Sequence, residues 1–201
     1  MSESEETEEQ IFEAAKMVFH REGYEGARMQ AIADEAGINK AMLHYYYRSK
    51  DKLFQAVFQD AVRHFFPVIQ KVLAGDQGIV PKVKELVDTY YGIFREHPHL
   101  PSFVIYEMNQ NPQRFKQFMK GQVGGIPAPF LRQVEEEIRA GSMKQVKPHE
   151  FLVNIIALCV FPFIARSMVE TVFEMDPREY ERFMEERRRS LPGYILNSVS
   201  K

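Results

Sequence analysis

A single cysteine, Cys159, stands in the whole chain, so no intrachain disulfide can brace the fold. That fits a reducing compartment. Its apolar neighbours make it an inert buried thiol more readily than a redox sensor. Long hydrophobic runs are also missing: the most apolar segment, Phe151 to Ala165, is interrupted by Asn154 and Pro162 and is short for a bilayer. The N-terminus has neither the basic stretch nor the apolar run of a signal peptide. We therefore expect a cytoplasmic protein with no membrane partner. Excess charge of one sign is absent too, because the net charge is only −2. Nucleic-acid binding would then need a local patch, and the glutamates Glu3, Glu5, Glu6, Glu8 and Glu9 make the N-terminus the opposite of a basic arm. Catalytic signatures are lacking as well. Gly124-Gly125 has no flanking lysine and serine of a phosphate loop, and His97-Pro-His99 has no evident third ligand. No enzyme activity, cofactor or metal is expected.

What is present is helical. No segment alternates long enough for a strand, and in 201 residues helical periodicity recurs throughout. Thr7-Glu-Glu-Gln10 reads as a capping box for a first helix whose apolar stripe is Ile11, Ala14, Ala15, Val18 and Phe19, ended by Gly23. A long helix from Lys50 to about Ala74 carries Pro67, which should kink or divide it. Further helices are expected from Pro81 to Glu96, Leu100 to Met108, Pro112 to Gln122 and Ala128 to Ala140, with a break at Gly124 to Pro127. Pro148 opens an apolar helix to about Glu174, and Asp176-Pro-Arg-Glu179 opens the last one. The acids Glu181, Glu185 and Glu186 set Arg187, Arg188 and Arg189 on a salt-bridged face rather than a nucleic-acid patch.

The stretch from Arg28 to Lys52 carries the chemistry. Ile32, Ala33 and Ala36 share one face of a short helix, and Gly37 follows where a positive φ is needed. Asn39 is a good N-cap for a second helix, on which Leu43 and Tyr46 face inward. Lys40, Ala41, Met42, His44 and Tyr45 are left outside, uncommitted to the core. The pattern is a helix-turn-helix at 28–47, with the cations Lys40, Arg48, Lys50 and Lys52 against the single acid Asp51. The plainer reading, two core helices joined by a glycine turn, explains less of the pattern.

From about Gln10 to Phe58 the chain resembles the DNA-binding domain of TetR-family transcriptional regulators. The matching residues are Ile11-Phe-Glu-Ala-Ala-Lys-Met-Val-Phe19, Gly23-Tyr24, Ile32-Ala33-x-x-Ala36-Gly37-Ile38, Lys40-Ala-Met-Leu43, Tyr46-Tyr47 and Ser49-Lys50-x-x-Leu53-Phe54. Arg28 and Met29 replace a usual capping threonine or serine, Ala41 a frequent glycine, His44 a tyrosine and Tyr47 a phenylalanine. The resemblance implies an all-α chain of about nine helices. An N-terminal three-helix reader at 7–54 is followed by a helical ligand-binding and dimerisation domain at 55–201. It also implies a sequence-specific DNA-binding regulator, acting as a repressor released by a small hydrophobic or amphipathic effector. The alternative is a helical protein-interaction module whose helix-turn-helix no longer binds DNA.

Operator contacts are assigned to Arg28, Asn39, Lys40, Ala41, Met42, His44, Tyr45, Tyr46 and Lys50. Lys40 reaches a phosphate or guanine edge, Ala41 and Met42 the groove floor, the tyrosines phosphates, and Lys50 clamps a phosphate at a helix N-terminus. A homodimer is expected because the Phe151–Ala165 segment is apolar on all sides and the last helix adds a second apolar stripe. Its interface is assigned to Ile155, Ile156, Cys159, Phe163, Phe183, Met184, Leu191, Tyr194 and Ile195. Aromatic and methionine side chains that serve a pocket as well as a core are Tyr90, Tyr91, Phe94, Phe103, Tyr106, Met108, Phe118, Met119 and Phe161. Asn154 and Arg166 are polar groups able to orient a ligand. The expected switch is a tilt of the long helix, with Pro67 as its soft point.

Overall fold

The computed structural model describes residues 3–98, 100–123 and 128–200. Every regular element among them is a helix, eleven in all. His99 and the expected break at 124–127 lie outside the described residues. The chain divides into two compact units, residues 1–64 with 102–112, and residues 65–101 with 113–201.

The first unit is built on α1 (Glu3–Gly26), α2 (Met29–Glu35), α3 (Lys40–Tyr46) and the first half of α4 (Lys50–Ala74). The α1 stripe Ile11, Ala14, Ala15, Val18 and Phe19 is fully buried with Ile32, Ala33, Leu43, Leu53 and Phe54. α1 starts at Glu3, a full turn before the expected capping box, so Thr7 lies inside the helix. Its glutamate-rich first turns suit the positive end of the helix dipole. Gly23 breaks the helix at φ 68°, ψ 178°, and a last turn closes through Ala27 N–H to Gly23 C=O at 3.2 Å. The far part of α6 (Leu100–Gln110) belongs to this unit: Phe103 and Tyr106 pack against Phe54 at 5.3 and 5.5 Å between ring centroids.

α4 runs unbroken through Pro67. The second unit holds the rest of α4, with α5 (Ile79–Glu96), α7 (Pro112–Val123), α8 (Ala128–Ala140), α9 (Pro148–Ile164), α10 (Arg166–Val172) and α11 (Pro177–Val199). Its core runs along α5, where Val83, Leu86, Val87, Tyr90, Tyr91 and Phe94 are buried. Lys82 is buried among them, and its ammonium donates to the α4 end at Leu73 O (3.2 Å), to Gly75 O (2.7 Å) and to Gln133 Oε1 (2.7 Å). Three elements are thereby tied through one charge whose donors are satisfied.

The helix expected from Pro148 to Glu174 is instead two, bent by 73°. The helix passes through Pro162, which has no N–H for the carbonyl of Leu158, and breaks just beyond it at Ala165 (φ −94°, ψ 22°). α11 fills the gap. Arg187 Nη2 donates to Leu158 O at 3.2 Å, and the Tyr180 hydroxyl donates to Pro162 O at 3.0 Å. α11 itself opens on the expected capping box, with Asp176 accepting from Arg178 and Glu179 N–H while Glu179 accepts from Asp176 N–H.

Candidate nucleic-acid interface

α2 ends because Gly37 takes φ 67°, which lets Ile38 N–H reach Ala33 C=O at 3.0 Å and turns the chain toward α3. Asn39 caps α3, its side-chain oxygen accepting from Met42 N–H at 2.8 Å. The helix is thus fixed at both its entry and its buried Leu43, and its other face is free. Lys40, Ala41, Met42 and His44 are exposed, and Tyr45 is 82% exposed. Arg28 is exposed at the N-cap of α2 with no side-chain cap. A two-turn helix with a basic start and an uncovered face can enter a major groove.

One assigned contact has another partner. Tyr46 is half-buried, its hydroxyl 3.1 Å from Ser4 Oγ. Tyr47 donates to Glu8 Oε1 at 3.4 Å, and burial pushes its hydroxyl up to about 12. The acidic start of α1 therefore touches the C-terminal end of the reading helix.

Lys50 has a different task from the phosphate clamp expected of it. Its ammonium donates to Tyr24 O (2.8 Å) and Ala27 O (3.1 Å) and lies 4.4 Å over the Tyr24 ring. It caps the open carbonyls where α1 ends. Where those carbonyls fall depends on the break at Gly23, which helical periodicity does not convey. Lys50→Met should therefore lower unfolding stability by about 1.5–3 kcal/mol, the range for hydrogen bonds to a charged group. Denaturant melting would show it, and the salt dependence of DNA binding by the folded fraction should stay as in the parent.

The residues assigned to a pocket do not converge. Phe103 is buried in the first unit beside Phe19, Phe54 and His20. Tyr106 packs against Tyr24 at 4.6 Å with the rings tilted and donates to Glu25 there, while Met108 is exposed. In the second unit Tyr90 packs on Phe65 and Phe94, Phe118 meets Phe66, and Met119 is half-buried. Asn154 and Phe161 are exposed. Tyr91, Phe94 and Arg166 do meet, on a groove of about 620 Å³ between α5 and α11, with Gly92, Arg95, Phe163, Tyr180 and Met184. Arg166 is held by Glu170 (2.8 Å) and Glu181 (3.1 Å) and covers the Tyr180 ring. Arg188 and Arg189 hold the Glu185 carboxyl down at about 2.

The assigned interface residues divide in the same way. Ile155, Cys159, Met184, Leu191 and Ile195 are buried inside the chain, and Phe163 and Phe183 are half-buried. The buried Cys159 thiol is pushed up to about 12 by burial, in keeping with an inert thiol. Ile156 and Tyr194 are exposed. Val153, Phe161 and Ile164 of α9 and Met168 and Val172 of α10, outside the expected interface, are exposed as well. The steps along α9 are three, five and three residues, a pattern that an all-apolar helix conceals.

Residues 11–57 match the family described as bacterial regulatory proteins, tetR family. The transcriptional repressor NicS of Pseudomonas putida (strain KT2440) is 27% identical over 180 residues, 87% of this chain and 84% of its own. The transcriptional repressor SCO4008 of Streptomyces coelicolor is 46% identical over 55 residues, 27% of this chain and 29% of its own. The crystal structure of HlyIIR, a hemolysin II transcriptional regulator, shares the fold with a TM-score of 0.58 at 22% identity, over 91% of this chain and 97% of that one. With its helix-turn-helix folded and its reading face open, this chain carries a tetR-family DNA-binding domain at residues 11–57 and is a DNA-binding transcriptional regulator.

Proposed function

We propose that the chain works in the cytoplasm as a homodimeric repressor, holding two α3 helices on one operator and releasing it when a small molecule binds the second unit. One observation supports the dimer above others: the apolar face along α9 and α10, where Phe161 and Met168 are 54% and 50% exposed and Val172 64%. Monomeric proteins seldom leave so long an apolar surface to water. A two-fold axis through that face would double it into a self-complementary interface. The reader is residues 7–54, supported by 102–110 of α6, and residues 55–201 carry the sensing and dimerising surfaces. Lys40, Ala41, Met42, His44 and Tyr45 meet the bases and phosphates, with Arg28 and Asn39 at the helix entries.

Repression fits the similarity to the transcriptional repressors NicS and SCO4008. The test is a reporter whose promoter overlaps a DNA fragment selected by the purified protein. Expression should fall when the chain is supplied and recover with small amphipathic molecules added to the cells. Expression that rises with the chain would make it an activator and overturn the repressor reading.

A further inference from the structure

The groove between α5 and α11 has two properties that packing alone does not account for. Gly92 sits in the middle of α5, and a Cβ built there would meet nothing within 4 Å. Its φ is not positive, so neither backbone nor neighbours call for glycine. Alanine would favour the helix more, and a glycine there leaves the α5 backbone open to close approach. Second, the groove walls carry four guanidiniums against three carboxylates. Arg166 and Arg188 are bound to acids, Arg188 to both Glu185 and Asp88, and Arg189 shares Glu185. Arg95, one turn beyond Gly92 on the same face, makes no ion pair among the described residues. Between them the wall is aromatic: Tyr91, Phe94 and Phe163 pack edge to face at 5.1–5.2 Å.

We propose that this groove binds a small amphipathic carboxylate, its apolar body lying over Gly92 against Tyr91, Phe94 and Phe163 and its carboxylate on Arg95. A volume of about 620 Å³ falls in the range of small-molecule sites. Guanidinium forks take carboxylates in paired hydrogen bonds. The proposal rests on the ligand-released reading and gives its effector a chemical class and a place.

Titration calorimetry on the full chain, with octanoate and 4-phenylbutyrate against octanol and 4-phenylbutanol, tests it. At least one acid should bind once per chain, and its alcohol about tenfold more weakly, the loss of one charge-assisted hydrogen bond. Arg95→Gln should erase that difference. Gly92→Leu should abolish binding, with an unfolding temperature no lower and an unchanged oligomeric state. The proposal is overturned if no probe binds, if acid and alcohol bind alike, or if Gly92→Leu binds as the parent does. A change of oligomeric state in Gly92→Leu would also overturn it, because the groove would then be a protein interface. Binding that leaves the operator complex intact would keep the site and reject ligand release.

Discussion

Phe161→Arg should convert the proposed dimer to monomers and weaken operator binding at least about 100-fold, with the fold of each subunit intact. Phe161 is 54% exposed in the single chain, so arginine there strains no core. In a two-fold dimer the substitution enters the interface twice, and each guanidinium would be buried without a carboxylate partner. Uncompensated charges of that kind cost several kcal/mol, and every 1.4 kcal/mol is about tenfold in an equilibrium constant. A half-occupied operator then loses the second set of contacts. Sedimentation and a binding titration at matched concentrations would read both effects. Cys159→Ser, on the opposite, buried face of α9, should instead lower stability and leave the oligomeric state as it is.

The second large effect belongs to the reading helix. Tyr45→Glu should reduce operator affinity at least about 100-fold while the unfolding temperature stays within a degree or so. The ring is 82% exposed, its nearest aromatic neighbour being Tyr46 at 5.4 Å, so little packing is lost. A carboxylate facing phosphates in each of two half-sites replaces a hydroxyl donor with repulsion and removes counterion release. Set beside Lys50→Met, the pair separates reading from folding: one should lose DNA without losing stability, the other the reverse.

The features legible in the sequence were local ones. Gly37 had to leave its helix through positive φ, Asn39 and Asp176 had to cap, and both depend only on residues one turn away. The all-helical class followed from periodicity, and the reading face from which residues Leu43 left outside. Side chains whose role depends on distant backbone were not legible. Lys50 was assigned to phosphate because its target carbonyls at Tyr24 and Ala27 are about two dozen residues away. Phe103 and Tyr106 announced burial but not in which unit. α9 is apolar all round, so composition alone could not separate inward Ile155 from outward Val153. Two residues carry a signal of their own: Pro162 leaves Leu158 without its helical partner shortly before the break at Ala165, and Gly92 sits in the middle of a helix that needs no glycine.

On the proposed function, two copies of this chain read one DNA site through paired α3 helices. Selection of bound duplexes from random oligonucleotides by the purified full chain tests it most directly. The expected result is an inverted repeat whose half-sites lie about 10–10.5 base pairs, or a multiple of that, centre to centre. Enrichment of no sequence, or of a single half-site with no partner, would contradict it.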